Sequence, residues 1–530
     1  MRTEPALRRR AIVVALAATL VAGTAVPATA VPAEARPPAT PTAAPDRGYR
    51  ADITWAPCPE RAEVECGTIP MPIDWTAPHG ATFDLALARQ IAAVPAERRG
   101  VLFVNIGGPG GSGVDFALVA DRYFSREVRE RFDIVGIDPR GIARSTEVVC
   151  SPDLLDRRPS LRPDNQAEFT RLARFNQRFA DDCRARTGPL YDNVDTRSVV
   201  EDMDAVRRSL GERTISYFGL SYSTLIGLQY AERHGEHVRA MVLDSVMDHS
   251  LGTRAFLTTE AAAAEDSFQE FVSWCARTRS CALHGRNVPR LWHDLLKRAE
   301  RGALVHPRSP DTPVTPHLIR DEAFLAFYGP DWAGLATFLA KLDRPDLTPP
   351  TTPAEEEPYL KAHLFPAVFC LDWSLPVRDH REFTALAKKA RTVAPAMNGS
   401  PLGAEAVASC IGRSGDTVNP QRRLRITDAP KILLLNARHD PSTAYEWAVN
   451  VHRQTRDTTV LLTYDGWGHG VYDRSDCTRR TTDAYLVDLA VPPRGARCAA
   501  VEPPDTASAS TARPALGPMG YRPHQPQNGR

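Results

Sequence analysis

The stretch "ISYFGLSYST" sets Ser221 between Gly219-Leu220 and Tyr222-Ser223, directly after an apolar run and before the helix-like "TLIGLQYAERHG". A G-x-S-x-G turn of this kind folds a strand sharply into a helix. It lifts the serine hydroxyl out at the C-terminal edge of a sheet, with small residues on either side to avoid clashes. Ser223 stands where the pattern ends in glycine, and serine is also small. A hydroxyl is a weak nucleophile that needs a base, usually histidine, oriented by a carboxylate. Two later segments supply these groups in the order serine, acid, histidine. "LLLNARHDPST" carries Asp440 in the loop after a late strand, and "TYDGWGHGVY" carries His469, flanked by Gly468 and Gly470, after the next. His439 is a competing histidine that adjoins the acid and reads as a loop residue; Asp465 is a rival acid ranked below Asp440. The chemistry implied is acyl transfer: Ser221 attacks a carbonyl, His469 takes its proton, and Asp440 orients and stabilises the imidazolium.

A second glycine-rich stretch, "NIGGPGGSG" at 105–113, follows the apolar run "VLFVNI". Its Gly108-x-Gly110-x-x-Gly113 spacing matches a dinucleotide-binding turn, and Asp138 at the end of "FDIVGID" could serve as the acidic residue of such a site. Against that reading, Pro109 sits inside the turn, no phosphate-binding lysine follows, and the Ser/Asp/His set would have no role. The loop reads better as an oxyanion loop, whose backbone N–H faces a tetrahedral intermediate beside the N–H of Tyr222. Gly108 is the chosen loop donor, with Gly107 next.

These groups need a scaffold that brings strand ends together. The segments "FDLALARQIAA", "VLFVNI", "FDIVGID", "RTISYFG" and "VRAMVLDSV" are short apolar runs bounded by Gly, Pro or Asp, with helical patterns such as "TRSVVEDMDAVRRSLG" between them. Alternating strands and helices imply an α/β fold with a mainly parallel sheet flanked by helices. After Asp248 the pattern becomes helical, charged and Pro-rich, and strand-like runs return at "KILLLNA" (431–437) and "TTVLLTYDG" (458–466). This predicts one α/β domain interrupted by a mostly helical insertion of roughly 170 residues. "DPRGIARS" (138–145) reads as a brace for the turn after its strand, with Arg140 and Asp138 in local hydrogen bonds, and Asp244 in "MVLD" reads as structural.

Composition narrows the function classes. The 530 residues carry 65 Lys+Arg against 64 Asp+Glu, a net charge of +1, which points away from nucleic acid or an anionic surface as partner. "MRTEPALRRR", the apolar "AIVVALAATLVAGTAV" and "ATA" at Ala28–Ala30 read as a secretory signal; left uncleaved, the same run would be an anchor. Arg8–Arg10 leave the export route open. The even count of ten cysteines fits disulfides in an oxidising compartment, and sequential neighbours suggest Cys58–Cys66, Cys150–Cys183, Cys275–Cys281, Cys370–Cys410 and Cys477–Cys498. There is no C-x-x-C pair and no H-E-x-x-H, so the usual zinc patterns are missing from the sequence.

Taken together, "NIGGPGGSG", "DPRGIARS", "GLSYST", "ARHDPST" and "GWGHG" resemble the secreted tripeptidyl aminopeptidase and proline iminopeptidase-like branch of the α/β-hydrolases, with the C-terminal segment typical of the tripeptidyl enzymes. The resemblance covers about 52–250 and 365–500. It implies an α/β-hydrolase fold with a mostly helical cap, a triad carried onto Ser221, Asp440 and His469, and release of short peptides from free N-termini without a cofactor. Ser223 and Ala143 stand where the family pattern has glycine. The organisation expected is a signal at 1–30, a Pro/Ala-rich linker at 31–48, the core at 49–250, the cap at 251–425, the core again at 426–501 and a disordered tail at 502–530. The partner expected is a peptide or small protein with a free N-terminus, with no nucleic acid and no stable membrane insertion after signal cleavage. An aminopeptidase also needs a carboxylate for the substrate ammonium, and Glu260, Glu265, Asp266 and Asp372 are the candidates. Two other readings stand beside this one: a carboxylesterase or lipase using the same triad, and a binding protein on the same fold.

Overall fold

The computed structural model describes residues 48–307, 309–344, 364–415 and 417–504. The signal segment, nearly all of the linker and most of the tail lie outside them. Ten strands form one sheet in the order β1–β2–β3–β5–β4–β6–β7–β10–β11–β12. They are β1 (Thr54–Cys58), β2 (Arg61–Pro72), β3 (Thr82–Gln90), β4 (Gly100–Asn105), β5 (Phe132–Ile137), β6 (Ile215–Leu220), β7 (Val238–Asp244), β10 (Ile432–His439), β11 (Thr459–Trp467) and β12 (Arg497–Cys498). From β5 to β12 every neighbouring pair is parallel, whereas β1, β2 and β3 are antiparallel to their neighbours. The fold is that of an α/β-hydrolase.

The central strands are continuous apolar runs because helices cover both faces of the sheet. Every residue of β5 and β6 is buried. The strand order reverses between β4 and β6: the chain leaves β4 towards β5 on one side and leaves β6 towards β7 on the other. The loops after β4 and β6 therefore diverge and open a crevice at the C-terminal edge, the usual place for a ligand in an open α/β sheet. Both glycine-bearing motifs of the sequence lie there.

Between β7 and β10 the described chain is mostly helical, with long helices at Thr253–Arg277, Val288–Glu300, Pro316–Tyr328, Trp332–Leu342, Leu364–Asp372, His380–Val393 and Pro401–Cys410. A two-stranded hairpin that the sequence pattern did not reveal, β8 (Val305–His306) with β9 (Ser309–Pro313), lies among them. This insertion shares one hydrophobic cluster with the sheet domain. Phe256 of the insertion packs 5.5 Å from Trp447, on the helix after β10, and 6.0 Å from Phe369.

All five cysteine pairs suggested by sequence neighbours are disulfides. Among the described residues no helix is long and apolar enough to cross a membrane. The boundary expected at 502 falls within a held segment: Glu502 pairs with Arg277, and Val501 N–H donates to Tyr464 Oη.

The brace at "DPRGIARS" reaches further than the local bonds expected of it. Asp138 accepts hydrogen bonds from Ser112 Oγ (2.6 Å), Val114 N (2.9 Å) and Arg144 N (3.0 Å), and so holds the start of the helix that follows the glycine loop. Arg140 is fully buried and spans distant segments. It makes a two-pronged pair with Asp202 at 2.7 and 2.6 Å and donates to the carbonyls of Pro72, Ile73 and Asn193. Sequence proximity does not disclose such bonds, because a guanidinium satisfies its five donors wherever the fold brings acceptors.

Ala143 in the same turn has φ +48°, a left-handed conformation that costs a residue with a Cβ about 1–2 kcal/mol. Ala143→Gly removes that cost but gives the unfolded chain more freedom. We expect a net gain of about 0.5–1 kcal/mol in urea unfolding. A loss of stability would show that the methyl group packs more strongly than its backbone is strained.

Candidate active site

The strand-to-helix turn at Ser221 is built from sterics. Ser221 has φ +60°, in the left-handed region, and its N–H is held by the carbonyl of Asp244 at 2.8 Å. The next element is the helix Ser223–Arg233. Gly219 has no room for a side chain, since a Cβ would lie 2.6 Å from the Tyr217 ring and 2.8 Å from Ser223 O. Ser223 is buried, with its Oγ 2.7 Å from the carbonyl oxygens of both Asn105 and Leu220. The residue that departs from the glycine pattern thus ties the end of β4 to the end of β6.

Asp440 follows β10 and is 1% exposed. Ser442 N and Thr443 N donate to its Oδ1 at 2.9 Å each, while Thr443 Oγ1 and Ser245 Oγ donate to its Oδ2 at 2.9 and 2.8 Å. His469 Nδ1 lies 3.0 and 3.1 Å from the two oxygens. Burial pushes the Asp440 carboxyl up. The adjacent His469 and the Ser442 and Thr443 N–H groups outweigh that effect and hold it below the usual carboxylate range. With Nδ1 spent on the carboxylate, Nε2 is the ring nitrogen left to accept a proton.

His469 follows β11 and is held by the insertion. Its N–H donates to Tyr328 O at 2.9 Å, and the Tyr328 ring stands edge-on at 4.9 Å. Gly470 packs against Leu220, the residue before Ser221, where a Cβ would come within 3.1 Å. The rivals are placed elsewhere: His439 Nδ1 pairs with Asp266 at 2.7 Å, and Asp465 pairs with Arg497.

In the glycine loop, Gly107 N–H donates to Asn105 Oδ1 at 2.8 Å and Gly107 O accepts from Gly111 N at 2.8 Å. Gly107 also presses on the serine turn, since a Cβ would sit 2.7 Å from Tyr222 N. Its N–H is therefore committed, whereas Gly108 N–H has no such bond among the described residues. Tyr222 is anchored from the insertion: its hydroxyl donates to Asp372 at 2.7 Å.

The four carboxylates considered for a substrate ammonium differ in what they already hold. Asp372 accepts from Thr196 N, Thr196 Oγ1, Tyr222 Oη and Asn419 Nδ2. Glu265 accepts from Ala396 N, Met397 N and Gln269 Nε2. Asp266 is taken by His439. Glu260 is 1% exposed, its Oε2 has no hydrogen-bond partner among the described residues, and burial, outweighing the Ser400 hydroxyl beside it, pushes its carboxyl well above the usual range. As for metals, Asp204, His234 and His237 come together, but Asp204 is already paired with Arg207 and Arg208, a cationic setting that disfavours a divalent ion. Sequence reasoning did not find Ser245 or Thr443 as partners of the acid. The only signal was their hydroxyls near Asp244 and Asp440, too common a feature to single out.

Residues 395–498 match the family described as TAP-like protein. Over 491 residues the chain is 30% identical to serine protease Hip1 of Mycobacterium tuberculosis, covering 84% of this chain and 91% of that protein. Over 488 residues it is 31% identical to carboxylesterase B of the same organism, covering 87% and 92%. It is 27% identical over 494 residues to tripeptidyl aminopeptidase of Streptomyces coelicolor, covering 86% and 87%.

Asp244 lies beneath the site, its carboxylate accepting from Val471 N and Tyr472 N at 2.9–3.0 Å. Burial pushes its carboxyl up to about 7. The folded state then holds this proton more tightly than the unfolded chain. The resulting stability is fully present below about pH 4 and is lost as the pH rises through about 7. Thermal melts across that range should show Tm falling towards pH 8. The slope should be shallower in Asp244→Asn, and an unchanged slope would remove Asp244 as its source.

Proposed function

The chain belongs to the family of serine hydrolases that includes serine protease Hip1 and carboxylesterase B, and from that membership we propose that it is a secreted aminopeptidase releasing short peptides, tripeptides foremost, from free N-termini. The observation that carries the reading is the buried Asp440–His469 pair, set beside the left-handed Ser221 turn at the crevice of the sheet. In this mechanism Ser221 Oγ attacks the scissile carbonyl while His469 Nε2 takes its proton. Asp440 keeps the imidazole oriented and stabilises the imidazolium, and the N–H groups of Gly108 and Tyr222 receive the oxyanion. His469 then protonates the leaving amine, and water enters as the second nucleophile to free the acyl group.

Substrate choice is the finer part of the proposal. The TAP-like segment and the identity to a tripeptidyl aminopeptidase favour peptides, as does the insertion that roofs the crevice. Helix Leu364–Asp372 of that insertion comes down on the glycine loop, where a Cβ on Gly110 would be 3.4 Å from Leu364 Cβ. Glu260 is the candidate carboxylate with a buried oxygen left without a hydrogen bond among the described residues, which supports it as the ammonium anchor; a cation brought to it would stabilise its ionised form. The five disulfides suit an exported protein. Carboxylesterase B among the relatives keeps an esterase with the same triad as the second reading.

The test compares Ala-Pro-Ala-p-nitroanilide, its N-acetylated form and p-nitrophenyl butyrate. We expect turnover of the free-amine peptide, weak turnover of the acetylated one, and loss of about ten-thousandfold or more in kcat for Ser221→Ala. Glu260→Gln should raise KM for the free-amine peptide and leave the butyrate unaffected. Turnover confined to the butyrate would make the enzyme an esterase.

A further inference from the structure

Ser221, Asp440 and His469 stand on loops at the ends of three strands, β6, β10 and β11, and act together only if those loops keep register. The strand between β6 and β10 is β7, and its last residue and the one after it touch all three loops. Asp244 O accepts from Ser221 N, and its carboxylate accepts from Val471 and Tyr472 in the histidine loop. Ser245 goes further. It is fully buried, its N–H donates to Leu435 O at 2.9 Å, and its Oγ stands between acid and histidine loops. Gly470 N–H donates to that Oγ at 2.8 Å, and the Oγ–H donates to Asp440 Oδ2 at 2.8 Å.

Ser245 makes these contacts from φ +61°, a conformation in which glycine would be unstrained. Such a conformation persists only where the surroundings over-determine it, and here the two bonds of the hydroxyl are part of what holds it. We propose that Ser245 is a positioning residue of the triad, whose hydroxyl couples the acid loop to the histidine loop and fixes Asp440 for His469. The inference rests on the triad reading above.

Without the hydroxyl, Gly470 N–H loses its buried acceptor and Asp440 loses one of its donors. The carboxylate becomes more basic and holds the His469 proton more strongly, so the acid limb of the pH–kcat profile moves to higher pH. The other charged groups facing the imidazole or its acid are Asp244, Glu260 and Arg474, whose guanidinium donates to His469 O, and all are retained in the variant.

The test uses Ser245→Gly, which relieves the backbone, beside Ser245→Ala, which does not. Both should lose about tenfold in kcat with KM within about twofold, and both should shift the acid limb upward. The glycine variant, which sheds the backbone strain that the alanine variant keeps, should melt above Ser245→Ala. Wild-type kcat and pH profile in Ser245→Gly would overturn the proposal, as would a kcat loss that tracks Tm with the acid limb unmoved. Labelling of Ser221 by a fluorophosphonate separates the two readings. A labelled wild-type enzyme with unaffected Ser245 variants sinks this inference alone, and an unlabelled wild-type enzyme sinks the triad and this inference with it.

Discussion

A carboxylate 1% exposed to solvent is the constraint around which the rest of this molecule is organised. Removing the charge of Asp440 from water would cost several kcal/mol if nothing replaced its hydration. Two backbone N–H groups, two hydroxyls and the His469 imidazole replace it. These donors come from the loops after β7, β10 and β11, so the ends of those strands must lie within a few ångströms of one another. Parallel pairing of β7 with β10 and of β10 with β11 accomplishes this, because parallel neighbours deliver their C-terminal ends to the same edge.

On the other side of that edge the constraint is space. Gly107 lies against Tyr222 N, Gly219 lies against Tyr217 and Ser223, and the Ser223 hydroxyl reaches the carbonyls at the ends of β4 and β6. A tight turn built on a left-handed residue must be braced from the neighbouring strands, since its backbone conformation is strained. The brace continues outward: Asp138 fixes the helix after the glycine loop, and Arg140 ties the following turn to β2 and to the helix Thr196–Ser209. The motif string "DPRGIARS" is therefore part of the same support, although it lies outside the chemistry.

The order and strand-end placement of Ser221, Asp440 and His469 were legible because each motif carries its own flanks: an apolar run before it and small residues around it. The disulfides were legible as well, since each bridge joins cysteines adjacent in the sequence, and three of them close loops shorter than thirty residues. The antiparallel edge was hidden. β1 and β2 mix proline, cysteine and charged residues in "TWAPC" and "RAEVECGTIPMP", so no clean alternation marks them. Ser245 and the long reach of Arg140 were hidden for a different reason. Their partners lie 195 and 62 residues away, and nothing in the local pattern encodes where the fold brings an acceptor.

The insertion bears on the chemistry as well as on access. Tyr328 O receives both His469 N–H and the Arg474 guanidinium, and the same arginine bonds the carbonyls of His469 and Gly470. Asp372 holds the hydroxyl of Tyr222, the residue whose N–H receives the oxyanion in the proposed mechanism. His469 and Tyr222 are thus each fixed by a side chain or carbonyl of the insertion, through bonds that leave little slack in a packed interior. A substrate that displaces the insertion must strain these contacts, and one that fits beneath it leaves them intact. In the proposed mechanism, recognition beneath the insertion and turnover at the edge of the sheet are then coupled through the same few hydrogen bonds. This is how an enzyme spends remote binding energy on the orientation of its reacting groups.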